Sequence, residues 1–441
     1  MPKYANIFKS TALTLIGLAN AATASAGEAH VPVSKFGHFD HVFLIMMENE
    51  TNTDILGNAN APYANAYAQV ASQATNYFAV GHPSAPNYLE IVGGSNFGLS
   101  NDYWPNWFGL GCIDNAPGST GCANAFTPIS ATGTDNTVVA TAVNSSQCNG
   151  QVTISGTPAT YNCARYNYQA AYFTPKSIAD QLVHKGLSWK SYQESLPTVV
   201  PGAFGVNYSD GAYSSMSPVA VFGPGAVQKL YAVKHNPFAY FQNIETGDNP
   251  ALSFSRIQDF DGPDGLWADL QHPERTPNFS FIVPNQCHDM HGGVYVQIAP
   301  DGSDGTPCPY GSTKDDPNDA ALKQKADAFV KGAVTLIMHS PAWHDSRSAI
   351  FIVTDENDYT GNAETGGWET ADGCCDSPVL IAGDPSVSAT WPGGTYGGGL
   401  IPAVIVTNHG KTGGYVSTAP YNHYSLLATI EENWNLSLIH I

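Results

Sequence analysis

The sequence predicts an α/β fold with a mostly parallel central sheet and helices on both of its faces, and three observations lead there. Two runs, HVFLIMM at 41–47 and AIFIVT at 349–354, are continuously apolar over strand length, the signature of strands buried on both sides of a parallel sheet. Stretches of helical period alternate with such runs, the order expected of a layered α/β domain. With 441 residues, the chain can form one large domain with elaborations.

Taken in order, residues 38–47 are the first strand. PNYLEIVGG at 86–94 predicts a short helix opened by Pro86, because proline's missing N–H costs nothing in a first helical turn. In TPKSIADQLVHKG, Thr174 is expected to cap and Pro175 to begin a helix. Ile178, Leu182 and Val183 share one face of it, and Gly186 ends it before a strand from Leu187. KADAFVKGAVTLIMHSPAW again has a helical period and leads into the strand at 349–353. IPAVIVTN near 402–408 reads as a further strand, and a closing helix runs from Ser425. Between about 100 and 172, Gly, Ser, Thr, Ala and Asn dominate and periodicity fades, which predicts a loop-rich insertion over the site. There is no internal repeat.

The first 26 residues place Lys3 and Lys9 ahead of a short apolar stretch that ends in Ala24-Ser25-Ala26, the form of a cleavable export signal. Residues 27–441 are then the mature domain, and the expected address is secreted or periplasmic. No later segment has the roughly 18 uninterrupted apolar residues of a membrane span. Lys+Arg number 17 against 37 Asp+Glu, for a formal net charge of −20. Such a surface offers no basic footprint, so nucleic acid is excluded as a partner and stable membrane association is not expected. Eight cysteines suit an oxidising compartment, with zinc–thiolate binding as the alternative. Local loops Cys112 to Cys122 and Cys148 to Cys163 are the simplest pairings. Cys374 and Cys375 are each expected to reach a different partner.

Two apolar strands end alike: one runs into Glu48-Asn49, the other into Asp355-Glu356. Ligands of open α/β sheets gather at the carboxyl ends of strands. Carboxylates there are expensive to bury unless something positive lies between them, and oxygen donors without cysteine suit a hard cation. The alternative is that each pair caps a helix or meets solvent. Ser84 precedes Pro86, where helix N–H groups and the helix dipole would favour an anion; it is either an N-cap or a nucleophile beside a phosphate.

Read together, ENETN at 48–52, HPSAPNY at 82–88, KHNPF at 234–238, VPNQCHDMH at 283–291 and SPAWHDSRSAIFIVTDEND at 340–358 resemble, in order, the phosphoesterase family of bacterial and fungal acid phosphatases and phospholipases C. The resemblance extends over nearly the whole mature chain apart from the insertion. It implies an alkaline-phosphatase-like fold, with Glu48, Asn49, Asp355, Glu356 and Ser84 around one divalent or higher-valent metal ion and Ser84 as the nucleophile. It makes His291, in a segment similar to the family's D-E-H, the foremost candidate for phosphate oxygens and the leaving group, followed by His235 and the adjacent His288. Lys234 could add positive charge. His82 reads as a turn residue, and His423, in NHYSLL, as a cap of the last helix. Asn357-Asp358-Tyr359 stand where the phospholipase branch commonly carries His-Gly-Gly, which leaves Asp358 as a possible further ligand or an acceptor behind the ligands.

The implied function is a secreted, metal-dependent acid phosphatase that hydrolyses small phosphate monoesters through a phosphoserine. The rivals are a phospholipase C or other phosphodiesterase, and an exported binding protein of the same fold without catalysis. The sequence carries no G-x-S-x-G elbow, H-E-x-x-H or P-loop.

Overall fold

The computed structural model describes residues 38–97, 175–196, 230–292, 317–358, 397–410 and 413–437, with short pieces at 151–154, 157–160, 173, 198–200, 203–204, 308–309, 311 and 373–375. Its frame is an eight-stranded sheet. In chain order the strands are β1 His41–Met47, β2 Ser72–Ala74, β3 Trp189–Gln193, β4 Ile257–Asp259, β5 Phe279–Val283, β6 Ser348–Thr354, β7 Ala403–Thr407 and β8 Val416–Ser417. They lie side by side as β8-β2-β7-β6-β1-β5-β3-β4. From β6 to β4 every neighbour pair is parallel. β7 is antiparallel to both β6 and β2, so the strand expected near 402–408 exists and alone runs against the rest.

β1 occupies the middle of the sheet and is buried on both faces, the reason its sequence is apolar without alternation. Val42, Leu44 and Met46 point into one core, where they meet Tyr88, Leu89 and Val92 of helix α1 (Ser84–Gly93), Leu182 of α2 (Ile178–His184) and Leu427 of α4 (His423–Asn433). Phe43, Ile45 and Met47 point into the other, against Val330, Val334 and Ile337 of α3 (Pro317–Met338). Two-residue periodicity in the strand divides its side chains between the two helical layers. Truncating one of these residues, as in Leu44→Ala, would cost about 2–5 kcal/mol.

Several boundaries differ from expectation. α1 begins two residues before Pro86, with Pro83 as its N-cap. α2 begins at Ile178: Ser177, not Thr174, is the cap, and it forms a capping box with Asp180. That reciprocal pair satisfies two helix N–H groups, whereas Pro175 satisfies none. Gly186 ends the turn with φ of +74° as its residue type allows. α4 is capped by Asn422, through a capping box with Ser425, and not by His423.

The pairing expected of the CC dipeptide is also corrected: Cys374 and Cys375 are bonded to each other, and Cys287 to Cys308. Two adjacent thiols need no tertiary contact to meet. The other four cysteines, the export signal and most of the 100–172 insertion lie outside the described residues; inside the insertion, Gln151–Ile154 and Thr157–Thr160 form an antiparallel pair. Among the described residues, no helix is long and apolar enough to cross a membrane.

Candidate active site

The parallel register of β1 and β6 sets Met47 opposite Thr354, so Glu48 and Asp355 leave the sheet next to each other. The backbone beyond is tied down. The Glu48 N–H donates to Asp289 O (2.8 Å), the Asp355 N–H to Met47 O (2.9 Å) and the Glu50 N–H to Glu356 O (3.1 Å). Asn49 takes a left-handed backbone, φ of +45°, a conformation that asparagine tolerates better than most residues. Glu50, buried behind this turn, meets Lys323 Nζ at 3.1 Å, and its carbonyl accepts the Thr354 hydroxyl.

Ser84 comes from the other direction, as the first residue of α1, on a loop held by Asn87. That amide accepts from the N–H groups of Val80 (3.0 Å) and Gly81 (3.1 Å) and donates to Gly81 O (2.7 Å). The N-cap position is Pro83, so Ser84 is not the cap of its own helix. Its Oγ instead lies 3.1 Å from Glu48 Oε2 and 3.1 Å from Glu356 Oε1, at the positive end of the α1 dipole.

The Asn49 amide completes the cluster. With its NH2 group turned inward, the orientation that satisfies both ends of the amide, it donates to Glu356 Oε1 at 3.0 Å and to Glu48 Oε2 at 3.3 Å. Asp355 Oδ1 accepts the N–H groups of Asn49 (3.1 Å) and Glu356 (2.7 Å), whereas its buried Oδ2 has no hydrogen-bond donor among the described residues. Carboxylate, amide and hydroxyl groups gathered at one point carry the oxygen donor types that a hard cation takes. Among the described residues, no three His, Cys, Asp or Glu side chains are grouped so as to hold a metal ion by themselves; an amide and a hydroxyl would have to complete this donor set.

Glu48, Asp289, Asp355 and Glu356 are all buried. Burial first, and then the Glu48 charge beside it, pushes the Asp355 carboxyl well above the usual carboxylate range. Burial also raises Asp289, against the opposing pull of His235. Two imidazoles face the cluster. His235 Nε2 lies 2.8 Å from Glu48 Oε1 and its Nδ1 3.3 Å from Asp289 Oδ2, while its ring stacks on Tyr88 with centroids 5.1 Å apart. His82 Nδ1 lies 2.8 Å from Glu356 Oε2, and its Nε2 bonds Asn357 Oδ1 at 2.7 Å. Both imidazole–carboxylate approaches are close in distance without being aligned as hydrogen bonds.

The sequence-predicted residues thus divide. Glu48, Asn49, Ser84, Asp355 and Glu356 converge, and His235 joins them. His291 is half-buried one ring away, 5.8 Å from His235 between centroids; its N–H donates to Asp289 Oδ1 (2.8 Å) and its Nδ1 bonds Gly292 O (3.0 Å). His288 turns elsewhere: Nδ1 meets Glu194 Oε1 at 2.7 Å and the ring lies on Phe329. His82 is no mere turn residue, since it is fully buried against Glu356. His423 caps nothing. Its Nε2 donates to Asp355 O (2.7 Å), and burial pulls its pKa down to about 4, which keeps it neutral.

Sequence reasoning missed Tyr88, Asp289 as the partner of His235, and Glu50 with Lys323. The spacing of Tyr88 from Ser84 by one helical turn and the acidic pattern of ENE at 48–50 were the available signals.

Comparison with known proteins gives the site its context. A sequence model of the Phosphoesterase family matches residues 58–302 and 309–437, a stretch that holds Ser84, His235, Asp355 and Glu356 and starts after Glu48-Asn49. The chain is 21% identical over 431 residues to a phosphatidylinositol-3-phosphatase from Mycobacterium tuberculosis, across 96% of this chain and 88% of that protein. It is 24% identical over 254 residues to a probable acid phosphatase from Kluyveromyces lactis, across 57% of this chain but only 39% of that protein. A solved structure described as a protein in the alkaline phosphatase superfamily, from Vibrio parahaemolyticus, aligns at a TM-score of 0.41 and 11% identity, covering 98% of this chain and 77% of that one. A likeness of that size carries none of the assignment. The family match does, because it runs through both cores and most of the site, and by it this chain belongs to the Phosphoesterase family.

Proposed function

We propose that the chain is an exported, metal-dependent acid phosphatase that hydrolyses small phosphate monoesters through a phosphoserine at Ser84. One observation carries the reading: a buried serine hydroxyl at a helix N-terminus lies 3.1 Å from an oxygen of each of two glutamates that come from different strand ends. Family membership makes the activity phosphoester hydrolysis, and the names of the fungal relatives favour monoesters.

Glu48, Asn49, Asp355, Glu356 and Ser84 are the residues that would hold a hard cation, and the buried Asp355 Oδ2, which has no hydrogen-bond donor among the described residues, fits them for it. Such a cation supplies charge neutralisation for the phosphoryl oxygens and lowers the pKa of the serine hydroxyl. The Ser84 proton leaves to a neighbouring carboxylate oxygen as Oγ bonds to phosphorus and the ester P–O bond breaks. His291 gives a proton to the departing alkoxide, then takes one from the water that cleaves phosphoserine, which releases phosphate and restores Ser84. The α1 dipole favours the anion at this position. His235, gripped between Glu48 and Asp289, orients Glu48. His288, engaged by Glu194, stands outside this set.

The acidic surface and the absence of His-Gly-Gly after Asp355-Glu356 support monoesters over diesters. Parallel assays on p-nitrophenyl phosphate, bis-p-nitrophenyl phosphate, phosphatidylcholine and phosphatidylinositol 3-phosphate test this, and a clear preference for either diester overturns it. The nucleophile is tested by Ser84→Ala. Turnover should fall by about four orders of magnitude or more with fold and bound metal retained, and no phosphoenzyme should form. Unchanged turnover removes Ser84 from the mechanism. A wild-type chain that is inactive on every ester supports the binding-protein rival.

A further inference from the structure

The two glutamates beside Ser84 are held in matching ways. Each gives one oxygen to the serine and the other to an imidazole: Glu48 Oε1 to His235, Glu356 Oε2 to His82, both at 2.8 Å. Each imidazole is in turn held at its far nitrogen, His235 by Asp289 at 3.3 Å and His82 by Asn357 at 2.7 Å.

We infer that His82 is a positioning residue for this reaction, which holds Glu356 in the rotamer that presents Oε1 to Ser84 and to the cation, with Asn357 holding His82 from behind. This rests on the reading of Glu356 as a ligand of that cation. Three observations support it. His82 is fully buried, with Nδ1 2.8 Å from Glu356 Oε2 and Nε2 2.7 Å from Asn357 Oδ1, so neither contact is diluted by water. Asn357 is seated by its own backbone, whose N–H donates to Gly398 O (2.8 Å). Gly399, with φ of +81°, passes so close that a Cβ there would fall within 2.3–2.7 Å of the Asn357 amide. Asn357 is also the residue that follows Asp355-Glu356 directly, where the sequence departs from His-Gly-Gly. The departure thus has a structural use.

The test needs a readout apart from turnover. The full chain is stripped with a chelator, and the metal that elemental analysis finds in the purified protein is titrated back as its chloride. His82→Ala should weaken that binding by about 10–100-fold, the usual effect of losing a partner behind a ligand. At saturating metal, kcat should fall with KM for p-nitrophenyl phosphate unchanged. His82→Asn places an amide donor near the position of Nδ1 and should recover most of the affinity. His82→Gln reaches the position of Nε2 and should not. Unchanged affinity in His82→Ala, or recovery by Gln equal to that by Asn, overturns the inference, since either would mean that His82 only fills space.

Should His82→Ala not fold, Asn357→Leu carries the same test: binding weakened by about tenfold supports the relay, and wild-type affinity sinks it. A wild-type chain that holds no metal rejects the cation reading, and this inference with it. A wild-type chain that binds metal beside variants that bind as well rejects this inference alone.

Discussion

Met47 lies opposite Thr354 across the parallel pair β1–β6, and from that register it follows that Glu48 and Asp355, 307 positions apart by number, start from adjacent points at the edge of the sheet. A one-residue slip would send one of them to the opposite face. The register itself is held by apolar side chains on both faces, so the stability of the core and the geometry of the site have a common origin.

Asp355→Asn keeps the shape and removes one charge of the proposed ligand set. Metal content per chain should fall together with turnover, the latter by at least about 10–100-fold. Elemental analysis beside a steady-state assay checks this, and full occupancy in the variant removes Asp355 from the ligand set.

Chelation should lower thermal stability as well as activity. A ligand that binds only the folded chain contributes about 2.7 kcal/mol at a hundredfold excess over its Kd, and chelation removes that contribution. Calorimetric melting with and without a chelator is the measurement. An unchanged Tm in active protein contradicts the cation reading.

Glu90 gives a pH dependence whose sign can be worked out. It is fully buried in α1, and burial pushes its pKa up to about 8 from an ordinary 4.5, opposed by a hydrogen bond with Tyr424. The folded state therefore holds this proton more tightly than the unfolded state. Its contribution to stability is fully present below about pH 4.5 and is lost as pH rises through about 8. Glu90→Gln should flatten the fall of Tm between pH 5 and pH 8.5 and raise Tm at the alkaline end. An unchanged slope would show that Glu90 is not the group responsible.

Lys323→Met should be strongly destabilising. Lys323 is buried between Glu50 (3.1 Å) and Asp319, and its removal strands two buried carboxylates. Breaking such a pair from one side costs about 3–5 kcal/mol. Urea unfolding measures this directly. Because Glu50 anchors the turn beyond Asn49, metal affinity should weaken in the same variant.

Much of the fold was legible because its signals are local and repeated. β1 and β6 stood out as apolar runs, α3 by its period, and the sheet order β5-β1-β6 accords with parallel strands covered on both sides. Boundaries moved where capping chemistry overrode proline: Ser177 and Asn422 cap because their side chains reach a helix N–H, whereas Thr174 precedes the helix by too much. Nothing in IPAVIVTN marks direction, since an apolar strand reads the same whether its neighbour is parallel or antiparallel.

The residue types of the site were readable from the chain. Carboxylates at the ends of buried strands are costly unless something positive lies between them, which singles out Glu48, Asp355 and Glu356 as candidates. A serine before a helix is commonly an N-cap, so Ser84, like Asn49, is pointed to by the family resemblance. Partnership was not readable. His82, His235, His288, His291 and His423 are equivalent as letters, and their fates diverge through contacts with residues hundreds of positions away: His82 with Glu356, His235 with Glu48, His423 with the Asp355 carbonyl. An imidazole is defined by what faces each of its two nitrogens, and that is settled by how the strands and helices pack.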